Sequence, residues 1–176
     1  SDIQKNGLTK DNLQKISYYA KNIISGNAKY KRFNEREQEG LKRGGQLLTE
    51  ASIITGRSGR AGETQDGRAD RQEKDVASLA KSNGTWLKNP LKELTKKYGE
   101  PINAGNESSV FYDEKSGNVI KTSNISQYRD LQDALDGIVA NNAKFPKAAI
   151  KVIGFGNDAE TGFHIITEQP YIKEGE

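Results

Sequence analysis

The sequence predicts an α+β fold in which helices come first and a small, mostly antiparallel sheet follows. Up to residue 98, apolar residues recur at the three- or four-residue spacing of amphipathic helices. From Pro101 the spacing changes to the two-residue alternation that is typical of β-strands. We therefore expect a helical extension over residues 1–98, packed beside a five-stranded unit with one helix over residues 99–176.

Four helices are predicted in the extension. The segment LTKDNLQKISYYAKNIISG forms one apolar stripe and ends at Gly26. NEREQEGLKRGGQLLTEASIITG also favours helix, with a bend or break at the glycine pair 44–45. RQEKDVASLAKSNG predicts a third helix that stops at Gly84, and Pro90 fits the first turn of a fourth. Residues 56–70 interleave glycine with arginine and have almost nothing to bury, so we expect a flexible loop there.

The back of the chain predicts two strand pairs around one helix. SSVFY and NVIKTS flank DEKSG, where Gly117 supplies the left-handed residue of a β-hairpin. SQYRDLQDALDGIVANNA has helical spacing, and AIKVIGFG and FHIITEQPYI form a second strand pair. GEPINA supplies the fifth strand. Lys121 ends the second strand of the hairpin. The rest of that strand has the pattern of a buried strand, so a lysine at this position needs an explanation.

Composition excludes several kinds of site. The sequence has no cysteine, which rules out disulfides, thiolate zinc sites and a cysteine nucleophile. Its one histidine, His164, cannot build a multi-histidine metal site and is expected to be an ordinary residue of the sheet. No apolar run approaches the roughly 20 residues of a membrane span. A reducing cytoplasm is compatible with these features, so we expect a cytoplasmic protein.

Charge is unevenly distributed along the chain, although the net charge is only +3. Residues 1–60 carry 12 basic and 6 acidic side chains, whereas residues 101–176 carry 7 and 11. Such a basic front is suited to nucleic acid or to a protein partner, and Tyr30 and Phe33 interleave with the charges as in a stacking surface. The alternative is a solvated helical face. The basic residues predicted to make these contacts are Lys29, Lys31, Arg32, Arg57 and Arg60.

Seven segments, in order and at sensible spacing, resemble a known family. They are GGQLLTEASII, YGEPINAGNESSVFYDE, VIKTSN, QYRDLQDALD, NNAKFP, VIGF and ITEQPYI, and they run from about Gly40 to the end. The family is the serine/threonine/tyrosine kinase-like domain found in polyvalent proteins of phages and conjugative elements. The resemblance implies that residues 99–176 fold like the small lobe of a protein kinase.

In such a lobe a glycine loop covers the nucleotide phosphates, and a lysine held by a carboxylate from the next helix reaches the α- and β-phosphates. The resemblance therefore implies that Lys121 is the phosphate-binding lysine, with Asp130 or Asp133 as its partner. It also implies ATP with magnesium as a weakly bound ligand. The nucleotide-binding residues it implies are Gly105, Asn106, Glu107, Ser108, Ser109, Val110, Lys121, Glu168 and Pro170.

Three departures from the kinase pattern limit the expected activity. The loop keeps only Gly105 of three glycines, with Asn103 and Ser108 at the other two positions. The helix after Lys121 contains aspartate but no glutamate, and the catalytic residues of the large lobe have no counterpart in these 176 residues. We expect at most weak nucleotide binding and no catalysis by this chain alone. The alternative is a non-catalytic interaction module in which Lys121 is a strand-end lysine reaching water and Gly105 an ordinary hairpin glycine.

Overall fold

The computed structural model describes residues 8–27, 30–56 and 61–172. Within them the chain forms six α-helices, one short 3-10 helix and six strands. The helices are α1 (Lys10–Ser25), α2 (Glu35–Gly44), α3 (Gln46–Thr55), α4 (Gln65–Ser82), α5 (Pro90–Tyr98) and α6 (Leu131–Lys144), with the 3-10 helix at Pro146–Ala148. The strands are β1 (Trp86–Leu87), β2 (Asn103–Ala104), β3 (Ser108–Asp113), β4 (Asn118–Asn124), β5 (Lys151–Asp158) and β6 (Gly162–Pro170).

Local signals explain where the first helices begin and end. Helix α1 ends at Gly26, which adopts a left-handed conformation at φ 75°. Asn34 and Glu37 form a reciprocal capping box at the start of α2, because each side chain accepts the backbone N–H of the other. The predicted break in the second helical segment is confirmed at Gly45, whose φ of 92° separates α2 from α3.

Helix α4 begins earlier than predicted. The expected flexible loop at residues 56–70 is wrong over residues 65–70, which are helical. Thr64 caps this helix, since its hydroxyl accepts the backbone N–H of Gly67 at 3.0 Å. The polar residues of the first turns are held by partners on α6 rather than by an apolar core, so hydrophobic spacing did not reveal them.

The sheet has six strands in the order β1-β5-β6-β4-β3-β2 and is mixed, which corrects the predicted five-stranded, mostly antiparallel sheet. The additional strand is β1, which pairs in parallel with β5 through Trp86 and Phe155. Two glycines in β5 make the close approach possible. A Cβ atom at Gly156 would lie 2.3 Å from the carbonyl oxygen of Leu87, so a larger residue there would push β1 away.

The two faces of the sheet are covered differently. We call the face that packs against α3, α4 and α6 the helical face; it carries Phe163 and Ile165 and belongs to the main hydrophobic core. The opposite, outer face carries Phe111, Ile120 and Ile166, which form a smaller core with Leu94 of α5. Because the extension supplies much of the main core, its helices and the sheet share one interior. Among the described helices, none is both long and apolar enough to cross a membrane.

Candidate functional site

Lys121 lies in the middle of the sheet and on its helical face. It pairs with Val110 of β3 on one side and with Thr167 of β6 on the other. Directly opposed residues in a sheet project to the same side, and neighbours along a strand alternate. The neighbouring Ile120 belongs to the outer core, whereas Ile165, two residues before Thr167, belongs to the main core. Lys121 therefore projects to the side on which α6 lies.

The ammonium group of Lys121 has no carboxylate partner in the part of the chain that the structure describes. Its side chain is half-buried, and no ion pair within 4.0 Å is formed. A partly buried cation without a counter-ion keeps its charge by reaching water or by binding an anion. This position can chemically accept a phosphate or a carboxylate group of a ligand.

Asp130, the first predicted partner of Lys121, is instead bound to helix α4. It caps α6, since its Oδ1 accepts the backbone N–H of Asp133 at 2.9 Å. Its Oδ2 accepts from Gln65 at 3.3 Å and from Gln72 at 3.4 Å, and Arg68 Nε lies 3.9 Å away. Asp130 is almost completely buried in this arrangement. The structure thus gives Asp130 a structural role at the junction of α4 and α6.

Asp133, the second predicted partner, also lies apart from Lys121. Its Oδ2 accepts the backbone N–H of Arg129 at 3.2 Å, and the structure shows no ion pair between it and Lys121. One turn later, burial raises the pKa of Asp136, and the nearby carboxylates of Glu37, Asp133 and Asp130 raise it further. Several carboxylates are therefore grouped at the start of α6, where it adjoins α2 and α4.

The predicted glycine loop is a tight connection between β2 and β3. Gly105 donates its N–H to the carbonyl oxygen of Ser108 at 2.8 Å, and Asn124 binds the carbonyl oxygens of Asn106 and Glu107 at 3.0 and 2.9 Å. Gly105 has no left-handed φ, and an added Cβ atom would meet only the Ser108 carbonyl oxygen at 3.8 Å. The fold itself therefore does not require glycine at position 105.

The same loop lines a small polar cavity of about 110 Å³ on the outer face. His164 lies in its wall, with Nδ1 2.8 Å from the Thr122 hydroxyl and Nε2 2.7 Å from the Thr161 hydroxyl. Burial lowers the pKa of His164, although the nearby Asp158 opposes that shift. The pKa of Asp158 is lowered most by a hydrogen bond from the backbone N–H group of Glu160 in the β5–β6 turn, and the backbone N–H group of Thr161 lowers it further. His164 was expected to be an ordinary sheet residue, and sequence spacing gave no sign of this polar cluster.

The residues predicted to bind nucleotide are divided between the two faces. Ser108 and Val110 share the helical face with Lys121, whereas Ser109 lies beside Thr122 on the outer face. Glu168 is paired with Ile120 and therefore also projects to the outer face, and Pro170 lies two residues further along the strand. On the helical face, Glu168 of β6 could therefore contact an adenine ring only through its backbone.

The basic residues of the front are only partly described. Lys31 and Arg32 are exposed, and Lys29, Arg57 and Arg60 lie outside the described residues. Tyr30 and Phe33 stack on each other with their ring centres 5.6 Å apart. Two exposed cations therefore lie between these two aromatic residues in the chain.

Magnesium has no preformed site among the described residues. No group of three or more His, Asp or Glu side chains there is arranged to hold a metal ion. Mg²⁺ in nucleotide sites is commonly bound through one or two carboxylates, phosphate oxygens and water.

Comparison with known families identifies the sheet unit and part of the extension. Residues 69–176, more than half of the chain, match Kinase-PolyVal, described as Serine/Threonine/Tyrosine Kinase found in polyvalent proteins. The match begins within α4 rather than near residue 40, where the resemblance was expected to start, and it includes all six strands. Comparisons with curated proteins and with solved structures gave no significant match. The chain therefore belongs to the Kinase-PolyVal family.

Proposed function

We propose that this chain contains the nucleotide-facing part of a kinase-like domain of a mobile-element polyvalent protein, and that Lys121 contacts the phosphates of ATP. Binding by residues 1–176 alone is weak, and these residues alone do not transfer a phosphoryl group. Family membership supports the kinase-like class. The observation that carries the proposal is the half-buried residue Lys121, which projects to the α6 side of the sheet without a carboxylate partner among the described residues.

The surroundings of Lys121 suit the adenosine and phosphate parts of a nucleotide. Val110 and Thr167 flank it in the sheet, so an apolar and a hydroxyl side chain lie beside the cation on one surface. The β2–β3 connection adjoins this surface through Ser108, and glycine at position 105 leaves room for close backbone approach by a phosphate. When bound, ATP would place the phosphates against the Lys121 ammonium group.

Isothermal titration calorimetry with ATP and magnesium tests the proposal. We expect a dissociation constant near 1 mM, or about −4 kcal/mol, for the unaltered chain. Lys121→Ala should weaken binding at least tenfold, since it removes the cation opposite the phosphates. Lys115→Ala is the matched control, because Lys115 is an exposed lysine in the turn of the same hairpin. Equal affinity of the Lys121 and Lys115 variants would contradict the proposal.

A second substitution separates the loop from the lysine. Gly105→Ala should leave the free energy of unfolding within about 0.5 kcal/mol of its original value, because the added methyl group meets only ordinary contacts. If the loop backbone approaches phosphate, the same change weakens ATP binding. Unchanged affinity would remove the loop from the binding surface and leave Lys121 as its centre. Incubation with radiolabelled ATP should leave added protein substrates unlabelled, and enzyme-dependent labelling would refute the absence of transfer.

A further inference from the structure

Four aromatic rings form a continuous row at the end of the molecule formed by α1 and the segment before α2. Phe33 and Tyr30 stack with their ring centres 5.6 Å apart, and Tyr30 is 6.1 Å from Tyr19. Tyr19 in turn meets Tyr18 edge to face at 5.9 Å. The inner two rings pack against the main core, which fixes the base of the row. The outer two rest on this base and project from α1.

The outer rings are unusually open to solvent. Tyr18 is 65% exposed and Tyr19 is 47% exposed, and neither hydroxyl makes a hydrogen bond to the described residues. With Gln14, Lys15 and Asp11 they line an open groove of about 390 Å³. Large exposed aromatic side chains that are grouped rather than scattered mark surfaces used for binding.

The segments of the chain that carry the row are rich in basic residues. Exposed Lys31 and Arg32 directly follow Tyr30 in the chain, and Lys15 lies in the groove itself. The described residues of this region, 8–27 and 30–36, include six basic side chains and only two acidic ones. The basic residues are Lys10, Lys15, Lys21, Lys31, Arg32 and Arg36, and the acidic residues are Asp11 and Glu35.

We infer that this aromatic row binds single-stranded nucleic acid. Unpaired bases stack on exposed tyrosine rings, while lysine and arginine neutralise the phosphate backbone. The paired bases of a duplex cannot present their faces to the rings, so the exposed rings favour a single strand. A protein partner is less well matched, because protein interfaces are depleted of lysine at their centre, whereas Lys15 lies inside this groove. This surface is separate from the Lys121 face and does not depend on nucleotide binding there.

Fluorescence anisotropy with labelled oligonucleotides of roughly 15 nucleotides, within the usual range of site sizes, tests the inference. At about 50 mM salt the unaltered chain should bind dT and rU oligomers more tightly than a duplex of the same length. Tyr18→Ala combined with Tyr19→Ala should weaken single-strand binding at least tenfold, because two stacking surfaces are removed. Tyr18→Phe with Tyr19→Phe should retain it, since the rings and not the hydroxyls stack on the bases. A difference between the dT and rU oligomers shows which strand is preferred.

Two controls make the result decisive. Tyr128→Ala removes another exposed tyrosine, 39% exposed and remote in sequence, and should leave affinity unchanged. Replacing Lys31 and Arg32 by alanine should flatten the dependence of log affinity on log salt by about 0.7 for each phosphate that these side chains neutralise. The inference is overturned by undetectable binding at low salt, by equal affinity for duplex, or by unchanged affinity of the double tyrosine-to-alanine variant. Circular dichroism confirms that each variant remains folded.

Discussion

Asp130→Ala provides the most direct test of how α6 is held in place. The Asp130 carboxylate accepts hydrogen bonds from the backbone of Asp133 and from the side chains of Gln65 and Gln72, and Arg68 is close by. Gln72 is completely buried, and its Oε1 accepts a backbone N–H from the first turn of α6 at 2.9 Å. Removing the carboxylate leaves the helix uncapped and leaves the buried amide of Gln72 without an acceptor, whereas the exposed Gln65 can turn to water.

The expected cost follows from these hydrogen bonds. Loss of a helix N-cap costs about 0.5–2 kcal/mol, and a buried polar group left without a partner costs about 1–3 kcal/mol. Because the Gln65 and Gln72 hydrogen bonds to Asp130 are long, at 3.3 and 3.4 Å, we take the lower part of the second range. The free energy of unfolding should fall by about 1.5–4 kcal/mol. For a chain of this size, that corresponds to a Tm lowered by about 3–16 °C.

Urea unfolding followed by the fluorescence of Trp86 measures this change, since that ring is packed against Phe163 in the main core. Asp133→Ala is the control and should cost less than about 1 kcal/mol, because it removes one hydrogen bond near the surface. A double-mutant cycle with Lys121→Ala should be additive within about 0.5 kcal/mol. A destabilisation below about 1 kcal/mol for Asp130→Ala, or a coupling to Lys121 above that value, would show that Asp130 does not hold α6 in this way.

Two further predictions concern packing and pH. Gly40→Ala should lower the free energy of unfolding by about 1–3 kcal/mol, because its Cβ atom would lie 2.1 Å from the Val139 carbonyl oxygen and force α2 away from α6. Gly137→Ala should raise the free energy of unfolding by about 0.5–1 kcal/mol, because Gly137 lies in open space on helix α6. The urea midpoints of the two variants, compared with that of the unaltered chain, measure both changes. Burial lowers the pKa of His164 in the folded state below its unfolded value of 6.5. The neutral imidazole therefore contributes stability above pH 6.5, and this contribution is lost as the pH falls through the folded pKa. Proton NMR of the single histidine measures the folded pKa directly, and a value above 6.5 would contradict the prediction. The difference in unfolding free energy between the unaltered chain and His164→Gln should shrink below pH 6.5.

Much of the element pattern could be predicted because its causes are local. The break at Gly45 and the hairpin turn at Gly117 follow from glycine's freedom to adopt positive φ, at 92° and 74°. The Pro90 start of α5 follows from the fixed φ of proline. The spacing of apolar residues changes from helical to two-residue periodicity, and this change predicted strands β3 and β4 and the turn between them.

Predictions were wrong where residues that are distant in sequence determine the local structure. Strand β1 has only two residues and no periodicity to detect, and it pairs with β5 because Gly154 and Gly156 leave room for its backbone. The first turn of α4 looked like a loop because it buries little apolar surface, yet Gln65 and Arg68 bind residues of α6 more than sixty positions later.

In the candidate site, too, some features follow from local sequence and others from contacts between distant residues. The position of Lys121 on a strand before a helix could be predicted, because strand, turn and helix signals are carried by neighbouring residues. The binding of Asp130 by α4, and the cavity that the loop lines with His164 on the other face, depend on how distant elements pack together. Side chains far apart in sequence compete for each buried polar group, and the partner is chosen by the packing of whole elements.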